Sequence, residues 1–321
     1  MVQARVLTAR RQAGDAARRG GAGARPGWPV LAAFLAPAFG LYTLFIVYPM
    51  LSALQYSFFR WRGTAQAGFA GFANYQDLFT VHGEQLGRAF WHNCLIFAGA
   101  MLVQNTLGLL FAVLLHRNRF GRRFFQTAYT LPYLINPLVI GLLWKLLLSD
   151  YFGVNVVLRE AGLGGLALNW LGRPELALPV EIAIFTWAWV GIPMLLFGAA
   201  LAGIPEEYGE AARVDGASSW QVFRHVTLPL LTPAIGLVSV ITFVDTFNLF
   251  GLAFGLGGEN GDPAYGTDVL GLLFYRMAWR ADGEVNAIGP SSALAVLMFV
   301  FVFGVSLLTL RILRKREERL S

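Results

Sequence analysis

The sequence predicts an all-α fold: a polytopic membrane protein with six transmembrane helices and a two-helix loop on the cytoplasmic side. Three observations predict it. Of 321 residues, 56% are hydrophobic and only 14% charged, whereas soluble domains carry nearer a quarter charged. The apolar residues are gathered into six uncharged runs, each near the ~20 residues that cross a bilayer as a helix. The basic residues, finally, collect at alternate ends of those runs, the pattern that membrane insertion leaves behind. A mean hydropathy of +0.56 agrees, and six separate runs near bilayer length exclude core helices of a large soluble protein.

The runs extend from Pro26 to Phe59, Asn93 to Leu115, Phe124 to Trp144, Ile182 to Pro205, Val226 to Val244 and Ile288 to Leu310. They set the spans at about 29–56, 92–115, 124–148, 178–203, 229–256 and 288–311, within one membrane domain of residues 28–313. Helix is required because lipid offers peptide groups no hydrogen-bond partners. Residues 1–27, rich in Arg, Gly and Ala, hold too few apolar side chains to offset the entropy of ordering and read as a disordered basic cytoplasmic tail. The run that follows is far longer than the hydrophobic region of a signal peptide, so the first span is read as uncleaved. Residues 314–321 form a second basic tail. The single cysteine, Cys94, permits no internal disulfide and reads as a small packing residue.

Orientation follows from the cations. Arg5, Arg10, Arg11, Arg18, Arg19 and Arg25 precede span one, Arg117, Arg119, Arg122 and Arg123 follow span two, and Arg311, Arg314, Lys315, Arg316 and Arg319 end the chain. With Arg213 and Arg224 these are most of the 25 basic residues, all on one face, so both termini are expected in the cytoplasm. The connections 57–89, 149–177 and 257–287 then face outward. A pI near 9.7 would suit nucleic acid, but the cations flank spans, and anionic lipid headgroups are the partner they fit.

Several chemistries are missing. There is no GxxxxGK[ST], and with Lys145 and Lys315 the only lysines the chain cannot build a P-loop phosphate cradle. His82, His92, His116 and His225 are scattered, with no HExxH. No catalytic residue, cofactor or metal site is expected, and no inverted repeat of the kind found in many secondary carriers is apparent.

Between spans four and five lies the largest cytoplasmic connection, residues 204–228, containing EAARVDGASSWQVFRHVTLPLL. Pro205 suits an early helical position, and Glu206 and Glu207 favour the positive end of the helix dipole. Gly216 can adopt the left-handed conformation that ends a helix. Ser218 or Ser219 can cap a second one bearing Trp220, Phe223 and Val226, with Pro229 leading into span five. Small Ala211, Ala212 and Ala217 near the bend allow close backbone approach. Two readings stand on these residues alone: a ridge gripped in a partner's groove, or an amphipathic segment resting on headgroups.

Span five holds Ser239, Thr242, Asp245, Thr246 and Asn248, which cover about half the helix circumference. An acid in a span is costly and usually faces a bundle interior or a watery cavity. Asp245 and Asn248 can bond sugar hydroxyls, and Trp187 or Trp189 can stack on a sugar ring; equally, Asp245 can hold the bundle together while the tryptophans mark an interfacial belt. Lys145 and Glu181, near outer span ends, are expected to snorkel.

The segment EAARVDGASSWQVFRHVTLPLLTP resembles the EAA signature of inner-membrane permeases in binding-protein-dependent ABC importers. Glu210, Ala211, Ala212, Asp215, Gly216, Ala217, Phe223, Leu228, Pro229 and Pro233 match its pattern, while Tyr208 and Gly209 depart slightly from it. Scattered segments, including GFANYQDLF, YFGVNVVL and FVDTFNLF, are similar to the carbohydrate branch, and in particular to the first permease of the maltose type and its glycerol-3-phosphate relatives. Glu259 to Asp262 separate the family's GG from its proline. The resemblance implies a bacterial inner-membrane permease domain over 28–313, half of a sugar path. It also implies a second six-span permease, a pair of cytoplasmic ATPases and an external sugar-binding protein as partners. Glu210, Ala211, Ala212, Asp215, Gly216 and Ala217 would be ATPase-coupling residues, and Thr242, Asp245 and Asn248 would line the path. The contrasting expectation is an ion- or proton-coupled carrier titrating Asp245.

Overall fold

A computed structural model describes residues 28–117, 121–279 and 287–317; the expected tail 1–27, Arg119 and the end of the chain from 318 lie outside them. The chain divides into two units, Met1–Ser52 and Ala53–Ser321. In the first, residues 28–52 belong to one helix, α1 (Trp28–Tyr56). It contains Pro37 and widens to a π turn at Thr43–Val47.

The second unit is helical apart from a two-stranded hairpin, β1 (Phe59–Arg62) and β2 (Ala65–Phe69), with Phe59 opposite Phe69. Asn74 anchors it through Nδ2, donating to the Ser57 and Phe59 carbonyls at 2.7 and 2.9 Å. Asn74 lies in α2 (Ala73–Thr80), and α3 (Gly83–His116) follows as one long helix. Then come α4 (Arg122–Thr130), α5 (Pro137–Leu147), α6 (Val154–Glu160), α7 (Pro174–Trp189) and α8 (Gly191–Ala202). The chain continues through α9 (Glu206–Val214), α10 (Ser219–Leu230) and α11 (Thr232–Phe247) to α12 (Gly251–Gly257), α13 (Leu270–Trp279) and α14 (Ile288–Glu317).

Among the described residues, three helices, α1, α3 and α14, are long and apolar enough to cross a membrane; the number rises to six if each of three bent pairs is one span. The bends have local causes. The α4 to α5 pair turns by 96° where Pro132 and Pro137 interrupt the backbone ladder, and Asn136 caps the restart by accepting from the Leu138 N–H at 2.9 Å. The α7 to α8 pair bends by 44° at Val190, and α10 to α11 by 64° at Leu231, between Pro229 and Pro233. Proline lacks the N–H that would continue each helix.

Three apolar clusters join the helices. Ile96, Ile140, Phe185 and Leu252 knit α3, α5, α7 and α12. Leu78, Phe243, Phe247, Leu273 and Leu294 knit α2, α11, α13 and α14. Ala112, Phe197, Leu231 and Val238 bring α3, α8 and α11 together. Gly141 of α5 and Gly255 of α12 meet in a close backbone approach. A methyl added at Gly255 would stand 2.5 Å from the Leu138 carbonyl oxygen and 2.8 Å from the Gly141 Cα. Small residues at such a crossing let backbones meet where lipid supplies no hydrophobic drive.

Buried amides supply the polar ties. Asn93 donates to the Thr246 carbonyl at 2.6 Å and accepts from the Leu270 N–H at 2.9 Å, joining α3, α11 and α13. Asn105 of α3 and Thr242 of α11 exchange contacts at 3.1 and 3.2 Å. In a dry bundle each such pair replaces water that the groups have lost.

The helices do not share the limits expected for the spans. α3 starts at Gly83, ahead of the expected 92, because Glu84 and Arg88 end the uncharged run without ending the helix. Within the expected 229–256, α11 stops at Phe247, and α12 is a separate short helix after the break at Asn248 to Phe250. α10 runs on to Leu230, past the expected loop end at 228. One expectation needs correction. Glu181 does not snorkel: it is 0% exposed, because α7 begins at Pro174 and is packed against α3 and α12. Neither of its carboxylate oxygens has a hydrogen-bond partner.

Candidate functional site

Two regions concentrate polar groups that packing does not explain. The first is the turn between α9 and α10. Glu206 and Glu207 open α9 and Arg213 closes it, each charge complementing the helix dipole. The helix ends in a Schellman motif: the Ala217 N–H bonds the Ala212 carbonyl at 2.9 Å and the Gly216 N–H bonds the Arg213 carbonyl at 3.0 Å, with Gly216 at φ +87°. Ser218 starts α10 with a reciprocal capping box, its N–H donating to Gln221 Oε1 at 2.7 Å and its Oγ accepting from the Gln221 N–H at 3.4 Å. The turn is thus fixed on the α9 side by backbone bonds and on the α10 side by the Ser218 and Gln221 side chains, which leaves the side chains from Glu210 to Ala217 for other contacts.

Those side chains point outward. Val214 is 88% exposed and Trp220 64%, an unusual share of apolar surface for a polar loop. Glu210, Ala211, Asp215 and Gly216 are exposed, and Ala212 and Ala217 partly so. Behind the ridge, Val222 is buried and Gly209 faces its Cγ1. A cavity of about 300 Å³ lies between α9, α10 and the end of α3, lined by Glu206, Glu210 and Arg213 above Val113 and Ile204.

The second region is the C-terminal end of α11. Most of the polar residues predicted there are satisfied locally. Ser239 Oγ donates to the Ile235 carbonyl at 2.7 Å, Thr246 Oγ1 to the Thr242 carbonyl at 2.9 Å, and Thr242 is buried against Asn105. Asn248 Nδ2 donates to the Val244 carbonyl at 3.0 Å. Asp245 differs: no described residue hydrogen-bonds its carboxylate. Asp245 and Asn248 line a cavity of about 380 Å³ with Tyr133 and Trp189. Trp189 is held by a parallel stack on Phe185, centroids 4.6 Å apart. Trp187 is not in this cavity, standing edge-on to Trp144 at 5.4 Å. The structure therefore brings Asp245, Asn248 and Trp189 together, while Thr242 is outside the cavity lining, buried against Asn105.

Sequence reasoning missed a third polar group, at the loop that follows α12. Asp268 is fully buried and receives both Arg276 bonds at 2.8 Å, with Arg88 at 3.6 Å. His92 Nδ1 lies 2.8 Å from the Asp268 carbonyl oxygen, and Arg88 sits 4.2 Å above the Tyr265 ring. Burial raises the Asp268 carboxyl above its ordinary value, opposed by the Arg276 guanidinium. Arg88 and His92 lie far in sequence from Tyr265, Asp268 and Arg276, and no spacing signal links the two segments. They staple the 257–268 loop to α3 and α13.

A bundle of apolar helices, a cavity lined by an acid that no described residue hydrogen-bonds, and an exposed capped helical turn suit a membrane transport subunit. The chain belongs to the family of binding-protein-dependent transport system inner membrane components, which matches residues 104–318. It is 30% identical over 289 residues to the probable starch degradation products transport system permease of Thermoanaerobacterium thermosulfurigenes, covering 88% of this chain and 94% of that one. To the multiple sugar-binding transport system permease of Streptococcus mutans it is 30% identical over 278 residues, covering 86% and 92%. Among solved structures it is similar to a chain of a bacterial ABC transporter involved in the import of the acidic polysaccharide alginate, with 25% identity and a TM-score of 0.72 over 89% of this chain and 95% of that one. The chain is thus an inner-membrane permease subunit of an ABC importer and not itself an enzyme. Membership favours this over the ion-coupled carrier that Asp245 alone would allow.

Proposed function

We propose that this chain forms half of the path for a sugar or oligosaccharide in a bacterial ATP-driven importer. Its six spans are α1, α3, the three bent pairs and α14, with both termini in the cytoplasm, as the arginine distribution supports. A second six-span permease completes the path, an external sugar-binding protein delivers the substrate, and a cytoplasmic dimer of ATPases drives it. ATP binds those ATPases; this chain carries no cofactor.

The observation that carries the reading is the doubly capped, exposed turn from Glu210 to Ser218. A ridge held by a Schellman motif at one end and a capping box at the other transmits a push as a rigid body, and α10 continues from it towards α11. Glu210, Ala211, Ala212, Asp215, Gly216 and Ala217 are the coupling residues: the alanines and the glycine permit close approach, and the acids offer charge to a basic cleft. The names of the relatives cited above support sugar as the cargo. So does the pairing of an acceptor carboxylate and an amide with the Trp189 face, which suits hydroxyls on the edge of a ring and C–H groups on its face.

Asp245→Ala in the assembled transporter should reduce sugar uptake by roughly tenfold or more, the equivalent of one lost charge-assisted hydrogen bond of about 1.5–3 kcal/mol. It should leave the melting midpoint almost unchanged, since the native carboxylate has no bond to lose. Thr242→Val should do the reverse, lowering stability by breaking the Asn105 pair. Normal uptake by Asp245→Ala would remove Asp245 from the path.

A further inference from the structure

We propose that the path continues past Asn248 onto α14, where Phe299, Phe303 and Ser306 form a second subsite for a neutral sugar ring. The proposal rests on Asp245 and Asn248 being path residues.

Asn248 lines two cavities. One is the space beside Asp245 and Trp189; the other, of about 410 Å³, opens between α11 and α14. Each falls within the usual size of ligand pockets, about 300–1,000 Å³. On the α14 side, Phe299 and Phe303 lie one helical turn apart with rings nearly parallel, 9° between planes and 5.6 Å between centroids. Both are half exposed, at 49% and 53%, so together they present a continuous aromatic slab.

Two polar groups flank this slab. Ser306 lines the same cavity, and its Oγ is buried with no hydrogen-bond partner. A buried hydroxyl left unpaired costs about 1–3 kcal/mol, and a turn of the Ser306 side chain towards the cavity would let an arriving hydroxyl remove that cost. Across the cavity, Asn248 spends its Nδ2 on the Val244 carbonyl, and no described residue donates to its Oδ1. That oxygen is an open acceptor.

A sugar ring matches this set. Its C–H face packs on the phenylalanines, and its edge hydroxyls donate to Asn248 Oδ1 and exchange with Ser306. Lipid acyl chains match it poorly, because an exposed amide and an orphaned hydroxyl are expensive against hydrocarbon. Successive weak subsites also suit a path, where a substrate must be held and then released.

The test uses the assembled transporter with Cys94→Ser, so that single new cysteines report alone. Ser306→Cys, Asp245→Cys and Leu308→Cys are treated with a membrane-impermeant ammonium methanethiosulfonate. Leu308, 61% exposed on the same helix, serves as the control for the outer surface. Ser306→Cys should react at a rate comparable with Asp245→Cys and at least ~10-fold faster than Leu308→Cys, because the reactive thiolate forms only in contact with water. In parallel, the Phe299→Leu/Phe303→Leu pair should lower maltotriose uptake by about 3- to 10-fold, with Tyr at both positions restoring it. Slow labelling of Ser306→Cys beside fast labelling of Asp245→Cys would end the path at Asn248 and overturn the proposal. Slow labelling of both would remove the underlying path as well. Wild-type uptake by the leucine pair would overturn the aromatic subsite.

Discussion

Replacing Gly216 with valine should cut sugar uptake at least ~10-fold while the protein still inserts and folds. The cause is conformational. Gly216 sits at φ +87° with no atom within 4 Å of a would-be Cβ, so a larger residue meets no neighbour. It must instead abandon the left-handed backbone, which costs an L-residue about 1–2 kcal/mol and more when β-branched. The Gly216 and Ala217 N–H groups then lose their bonds to Arg213 and Ala212, and the angle between α9 and α10 changes. The bundle clusters lie elsewhere and are untouched. Glu210→Arg approaches the same end by reversing a surface charge. The check is to measure uptake and ATPase stimulation together: the variants should keep their amount in the membrane and lose both. Undiminished uptake in either variant would take this turn out of the coupling.

Replacing Gly255 with leucine should be the most damaging change in the bundle. Every atom that the new side chain meets first belongs to backbone, the Leu138 oxygen and the Gly141 Cα among them, so no rotamer relieves the clash. Overpacking of this kind costs about 1–3 kcal/mol when side chains can yield and more when they cannot. The expected result is a melting midpoint in detergent lowered by ~5 °C or more, read by the rate at which a thiol dye reaches Cys94. Gly304→Leu is the comparison. It has nothing within 4 Å and should melt like the parent protein. Equal midpoints for the two variants would show that the α5 and α12 crossing is looser than described.

These two glycines also mark what could be read from the chain and what could not. Gly216 was legible, because a Gly just past a helical stretch and a Ser just beyond it are local cap signals, and the structure puts the αL residue and the capping box at Gly216 and Ser218. The apolar runs were legible for the same reason: each is a property of one segment. Gly255 was not legible, since a short separate α12 folded against α5 depends on two segments far apart in sequence. The bend at Leu134 to Pro137 had a visible proline, but prolines in spans are often tolerated, and only packing decides for a sharp turn. The start of α3 at Gly83 escaped because Glu84 and Arg88 end an apolar run, whereas Arg88 belongs to the Asp268 cluster. In span five the sequence shows five polar residues, of which Asp245 and Asn248 stood out for sugar hydroxyls and Thr242 was expected beside them on the path. Geometry separates Ser239, Thr242 and Thr246, which are satisfied internally, from Asp245 and Asn248, which face a cavity. Asn93 and Asn105 could have been noticed as amides within an apolar run, the one sequence signal of the buried ties.

The central claim is that this chain moves substrate only as part of an ATP-driven assembly. The most direct measurement is reconstitution into proteoliposomes with a second permease, the ATPase dimer and the external binding protein, against the chain alone under an imposed proton or sodium gradient. The account predicts that sugar accumulates only in the full assembly, only with ATP inside the ATPase compartment, and that Gly216→Val abolishes it. Accumulation by the chain alone on an ion gradient would contradict the account.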